Sequence, residues 1–214
     1  MPKNNIISDL LIPEPNRADK FKKNKVGLFF GSFNPVHNGH LIIANYILEY
    51  TELEQIFFVV SPQNPFKQKA ALLEDYHRLA LIKEAIGDND KYHACDIEFK
   101  MPKPSYTTDT LAYLKERYPE KEFSLIMGSD NLKNFHKWKN SRQIIDNHTL
   151  YVYPRPGFDD SEFKEVKNII LIDAPLMEIS ATFIRNAVKE KKDIRYYMPE
   201  RAWNYLKEMH FYEK

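Results

Sequence analysis

The chain carries 214 residues, of which 43% are hydrophobic, 14% aromatic and 29% charged, a composition that can bury a full core. Its 31 Lys and Arg against 30 Asp and Glu leave a formal net charge of +1, which argues against a protein that wraps nucleic acid by neutralising phosphates. One domain, or one with a small appendage, is expected at this length.

Residues 1–24 read as an N-terminal extension. Its one apolar patch, Ile6 to Ile12, is broken by Ser8 and Asp9 and followed by Pro13 and Pro15, so it is not patterned as a signal peptide. No apolar run approaches the roughly 18 residues of a membrane span. A single cysteine, Cys95, cannot close a disulfide within the chain or supply a cysteine-rich zinc site. A cytoplasmic protein is expected, with no membrane and no nucleic acid among its partners and homo-oligomerisation left open.

From Lys25 onward, short apolar runs alternate with amphipathic stretches. Val26–Phe30 is strand-like, and Leu41 to Tyr50, opened by Gly39 and His40, reads as helix. After the strand Ile56–Val60, the residues Leu72, Tyr76, Leu79, Ile82 and Ile86 trace one helical face that Gly87 can end. Tyr92–Ile97 is a weaker strand. Thr107, Leu111, Leu114 and Tyr118 mark another helix before Pro119. Phe123–Met127, Leu150–Tyr153 and Ile169–Ile172 are further strands, and Ser180–Lys191 and Pro199–Met209 are terminal helices. Continuous apolarity within the strands predicts burial on both faces, as in parallel sheets. The pattern therefore predicts an α/β fold: a doubly wound, mostly parallel sheet over residues 25–178, with a small helical subdomain, residues 179–214, packed on it. Ligands are expected at the carboxyl ends of the strands.

Two common phosphate-binding loops are absent by arithmetic. No two of the six glycines stand five apart, and no three fit G-x-G-x-x-G. The stretch from Gly27 to His40, G-L-F-F-G-S-F-N-P-V-H-N-G-H, offers another route. A buried strand ends at Phe30, Gly31 permits a turn, Pro35 stiffens the loop, and His37 and His40 bracket a helix start. The amides and positive dipole end of that helix favour an anion, and two imidazoles three apart can both donate to phosphate oxygens. A metal pair and ordinary loop histidines are the competing readings; against the metal, no H-E-x-x-H and no cysteine cluster supplies further ligands.

Gly31-Ser32-Phe33-Asn34-Pro35-Val36-His37-Asn38-Gly39-His40 resembles the signature of the H-x-G-H nucleotidyltransferases. Five further segments follow in the order of the bacterial nicotinate mononucleotide adenylyltransferases: Ser61 to Lys67, Ser105 to Leu111, Gly128 to Leu132 with Trp138, Pro154 to Gly157, and Ile179 to Arg185. The resemblance covers about Val26 to Leu206. It implies a Rossmann-like nucleotidyltransferase that moves the AMP part of ATP onto nicotinate mononucleotide, releasing pyrophosphate and forming the deamido dinucleotide of NAD synthesis.

On that resemblance, His37, His40 and Arg185 are the catalytic set. ATP contacts fall to Gly31, Ser32, Phe33, His37, His40, Asp130, Ile179, Ser180, Thr182 and Arg185. Mononucleotide contacts fall to Ser32, Lys67, Ser105, Tyr106, Thr107, Trp138 and Arg155, with the Trp138 indole assigned to the pyridine ring. A Mg2+ ion held mainly by ATP phosphates is implied, with no dedicated metal ligands on the protein. Read as local structure alone, Ser105 or Thr107 is a helix cap, Asp130 an N-cap, Lys67 a solvated lysine and Ile179–Arg185 a capped helix start. Two positions depart from the family pattern: Asn34 stands where aspartate is common, and Ala181 replaces a hydroxyl residue, which predicts rearranged triphosphate contacts. A sister enzyme acting on nicotinamide mononucleotide or phosphopantetheine, and a nucleotide sensor without turnover, are the alternatives.

Overall fold

The computed structural model describes residues 24–62, 72–158 and 161–213. Six strands, β1 (Asn24–Gly31), β2 (Gln55–Val60), β3 (Tyr92–Cys95), β4 (Lys121–Gly128), β5 (Leu150–Tyr153) and β6 (Ile169–Leu171), form one sheet. The strand order is β3-β2-β1-β4-β5-β6 and every pairing is parallel. This is the doubly wound order that right-handed crossovers produce when the chain winds first to one side of β1 and then to the other.

Among the described residues, seven helices cover the sheet: α1 (Asn38–Tyr50), α2 (Asp75–Ile86), α3 (Thr107–Arg117), α4 (Ser129–Leu132), α5 (Ser141–Asn147), α6 (Ala181–Lys189) and α7 (Glu200–Glu208). Strand side chains alternate between two apolar layers, as the pleat requires. Phe29, Phe58, Val60, Ile126 and Tyr153 pack with Ile43 and Ile47 of α1, Leu81 of α2, Ile184 of α6 and Trp203 of α7. Leu28, Phe57, Val59, Leu125 and Val152 pack on the other face with Leu111 and Leu114 of α3 and Ile144 of α5. Burial on both faces is why these strands read as unbroken apolar runs rather than alternating ones. Among the described residues no helix is long and apolar enough to cross a membrane.

Three local features differ from the sequence expectation. The helix expected from Leu72 begins at Asp75, because residues 72–74 are drawn into an extended lead-in whose Leu73 carbonyl accepts from Arg78 Nε at 3.0 Å. The weak strand Tyr92–Ile97 closes at Cys95 and continues as a 3-10 turn, Ile97–Lys100. Helices α4 and α5 were not expected. The first is a single turn and the second fully buries only Ile144, so neither shows an apolar period.

Candidate active site

Strands β1 and β4 are neighbours, but the chain leaves β1 toward β2 and β4 toward β5, so their carboxyl ends flank the crevice where such sheets bind ligands. A cavity of about 340 Å³ opens there. Its walls include Gly31 and Ser32 after β1, Ser105, Tyr106 and Thr107 at the start of α3, and Trp138 from the segment after α4. Three segments far apart in sequence thus line one cavity.

The loop that leaves β1 turns sharply: Phe33 has a positive φ of 44°, and the Asn34–Pro35 peptide is cis. It delivers His37 to the position just before α1, where the side chain is only 5% exposed. The rings of His37 and His40 stack with centroids 3.8 Å apart. The His37 amide donates to His40 Nδ1 at 3.2 Å. That bond makes Nδ1 an acceptor, so in the neutral ring the proton sits on Nε2. The edges of Phe29 and Phe33 hold the His40 ring at 5.9 and 5.1 Å.

Burial, helped by the positive charge of Arg155, holds the His37 imidazole down at about 4. It is therefore neutral near pH 7, and its Nδ1 is buried without a hydrogen-bond partner among the described residues. Gly39 suits this packing: a Cβ there would stand 3.1 Å from His37 Nδ1, close enough to press on the ring, and 3.5 Å from the Ile179 Cβ. Ile179 is thereby placed close to Gly39 at the start of α1.

Two buried residues hold the loops in place, and the first of them, Arg78, was missed in the sequence. Arg78 of α2 is 0% exposed. Its guanidinium donates to the carbonyls of Ser32 at 2.6 Å and Ser61 at 3.0 Å, its Nε to Leu73, and it pairs with Asp75 at 2.6 Å. Burial pulls its pKa down while the Asp75 carboxylate opposes that shift. The loops after β1 and β2 are thus clasped by one cation. Asn34 is the second fastening point: its Oδ1 accepts from the Leu73 amide at 3.1 Å and from the Tyr212 hydroxyl at 2.6 Å. An amide oxygen serves here as a carboxylate would, which accounts for Asn34 in place of aspartate. Arg185 Nη1 donates to the Asn34 carbonyl at 2.8 Å, and Nη2 to Thr182 Oγ1 at 3.2 Å.

Ser180 caps α6, its Oγ accepting from the Phe183 amide at 3.2 Å. The capping roles considered for Ser105, Thr107 and Asp130 do not occur. Tyr106 precedes α3 without a side-chain cap, Thr107 is already inside the helix, and Gly128, not Asp130, precedes α4. Ser105 Oγ instead donates to Glu98 Oε2 at 2.8 Å. Glu98, also missed in the sequence, is 3% exposed and lines the cavity. Trp138 is half-buried, tilted against Phe135 at 5.3 Å.

Asp130 Oδ1 lies 3.6 Å from Arg155 Nε, and the Arg155 guanidinium covers the Tyr153 ring at 5.6 Å. Tyr153, pushed up to about 12 by burial, remains protonated at neutral pH. A side chain on Gly128 would collide with Asp130 and Arg155, so glycine lets these two approach the strand end. His37, His40, Phe33, Asp130, Arg155, Ile179, Ser180, Thr182 and Arg185 do not line the cavity itself. Phe29 and Tyr153, both cavity walls with rings 5.9 Å apart, connect it to the histidine side through the Phe29–His40 contact. Lys67 falls outside the described residues. Among those described, no three His, Cys, Asp or Glu side chains converge to hold a metal ion.

Residues 28–187 match the cytidylyltransferase-like family model. The chain is 52% identical over 191 residues to a probable nicotinate-nucleotide adenylyltransferase of Christiangramia forsetii, covering 88% of this chain and 98% of the relative. It is 55% identical over 172 residues to a protein of the same description from Cytophaga hutchinsonii, covering 80% and 90%. The solved Plasmodium falciparum nicotinic acid mononucleotide adenylyltransferase complexed with NaAD shares the fold, with a TM-score of 0.75 at 22% identity over 89% of this chain and 98% of that one. With the H-x-G-H loop at a β1/β4 crevice and this degree of identity along nearly the whole length of its relatives, the chain belongs to the nicotinate-nucleotide adenylyltransferases within the cytidylyltransferase-like family.

Proposed function

We propose that this chain, as a cytoplasmic enzyme, transfers the adenylyl group of ATP to nicotinate mononucleotide, forming nicotinate adenine dinucleotide and pyrophosphate. The observation that carries the reading is the adjacency of an indole-walled cavity to a stacked histidine pair at the helix start beside the β1/β4 crevice. One compartment suits a flat ring and ribose, and the other a polyanion.

The mononucleotide phosphate is already a nucleophile near neutral pH, so no side chain needs to be deprotonated to start the reaction. One of its oxygens forms a bond to the α-phosphorus of ATP as the bond from that phosphorus to the bridging oxygen breaks, and pyrophosphate leaves with the electron pair. The protein's task is alignment and stabilisation of charge. His40 offers Nε2–H, because its Nδ1 is occupied by the His37 amide. Neutral His37 and the first-turn amides of α1 add donors without introducing a proton that must be lost. Arg185, anchored at Asn34 and Thr182, brings a fixed positive charge to the same loop. Ser180 and Ile179 shape the adenylate side, Asp130 accepts from ribose hydroxyls, and Arg155 and Lys67 meet phosphate. Gly31, Ser32 and Phe33 bring backbone close to the nucleotides.

The donor set suits a Mg2+ ion carried by the triphosphate rather than by a protein cage, since the Asp130 carboxylate stands beside Arg155. When bound, the ion would neutralise charge on the departing pyrophosphate.

Purified protein given ATP and Mg2+ is expected to release pyrophosphate with nicotinate mononucleotide and more slowly with nicotinamide mononucleotide. Equal rates would remove the selectivity for the acid. ATP binding without turnover of either, or of phosphopantetheine, would instead identify a nucleotide sensor.

A further inference from the structure

Resting on the reading above, we propose that Glu98 is the counter-charge for a cationic ring in the cavity and selects mononucleotides whose base is a quaternised pyridinium. Glu98 sits in the 3-10 turn after β3 and faces the cavity although its side chain is almost wholly buried. Both carboxylate oxygens are accounted for: Oε2 by Ser105 Oγ at 2.8 Å and Oε1 by Thr110 Oγ1 at 2.7 Å. The Thr110 hydroxyl also lies 3.2 Å from the Tyr106 carbonyl, but it has one proton, and the shorter contact takes it. Two hydroxyls donating to two oxygens is the arrangement of an ionised carboxylate.

No Lys or Arg among the described residues forms an ion pair with this carboxylate. The two cavity lysines are engaged elsewhere, Lys139 with Asp109 at 3.0 Å and Lys137 with Asn134 Oδ1 at 3.0 Å. A buried charge with hydrogen bonds and no counter-charge is costly in the free protein, and a cationic ligand group removes that cost. The aromatic walls agree in sign: the Lys139 ammonium already lies over the Tyr106 ring at 4.8 Å, and the face of Trp138 offers a second surface that attracts cations. In a pyridine mononucleotide the glycosidic bond leaves the ring nitrogen positively charged, whereas adenine and phosphopantetheine carry no such charge. The Ser105 proton is committed to Glu98, so Ser105 Oγ offers only lone pairs to the cavity and would accept from a ribose hydroxyl.

The test compares two substrates: nicotinate mononucleotide, and the 5′-phosphate of 3-carboxyphenyl C-riboside, in which carbon replaces the ring nitrogen and the charge is lost. Glu98→Gln can keep both hydroxyl contacts, since each hydroxyl can donate to its oxygen or accept from its nitrogen. The variant is expected to raise KM for the pyridinium substrate by about tenfold, to change KM for the neutral analogue by less than about twofold, and to leave KM for ATP unchanged. Glu98→Asp is expected to keep the preference for the charged ring. Equal effects of Glu98→Gln on both substrates would overturn the proposal and make Glu98 a purely structural residue. Should Glu98→Gln not fold, the wild-type comparison decides: equal KM for the two ring types sinks the proposal. Failure of the wild-type protein to turn over nicotinate mononucleotide at all would instead refute the function on which it rests.

Discussion

Acid should destabilise this protein in measurable part through the His37 ring. Burial and the Arg155 charge hold His37 at about 4 in the folded chain, against a reference of 6.5 for an unperturbed histidine. Between those two values the unfolded chain binds a proton that the folded chain refuses, so stability falls as the pH is lowered through 6.5 and the loss levels off near 4. Integrating over that window gives a loss of about 2 kcal/mol between pH ~7 and pH ~5. Urea unfolding of the wild type and of His37→Gln, which cannot titrate, at both pH values isolates this contribution from every other group. The wild type should lose about 2 kcal/mol more than the variant. Parallel losses would mean that His37 takes up its proton in the folded state as readily as in the unfolded one, and the neutral ring assigned to the triphosphate side would have to be abandoned.

Replacing Arg78 with Met strands the carbonyls of Ser32, Ser61 and Leu73 and should cost about 3 kcal/mol in urea unfolding, with KM raised for both substrates; a loss below about 1 kcal/mol would show that the loops keep their places without the clasp. Gly39→Ala places a methyl 3.1 Å from His37 Nδ1. It should lower kcat at least about tenfold while shifting stability little, and unchanged kcat would show that the ring can yield without consequence.

What the sequence revealed and what it concealed differ by the range of the interaction. Val26–Phe30 and Phe123–Met127 announce themselves as central strands because both faces are buried, and an apolar run needs no partner to be recognised. The turn after Gly31, the cis proline step and the histidines at the helix start are likewise local, so their chemistry can be inferred from fourteen consecutive residues. Arg78 gives no such signal. Its i,i+3 pair with Asp75 looks like an ordinary surface bridge, and the carbonyls it serves belong to loops 17 and 46 residues away. Glu98 follows a short strand in a polar stretch, and its burial depends on Ser105 and Thr110 folding back over it. The capping roles expected for Ser105 and Thr107 were the natural local reading, and they fail because Tyr106 precedes α3, Thr107 lies inside the helix and Ser105 is turned toward the buried Glu98 carboxylate.

The bond from the Tyr212 hydroxyl to Asn34 spans 178 positions, and the one from Arg185 to the Asn34 carbonyl spans 151. Contacts this distant in sequence form only after the intervening chain has been made and collapsed. The turn that presents the histidines thus reaches its final shape late, once residue 212 has left the ribosome. A nascent chain therefore lacks two ties of its anion-holding loop until residues 185 and 212 have emerged, which separates the appearance of the sheet from the onset of nucleotide capture.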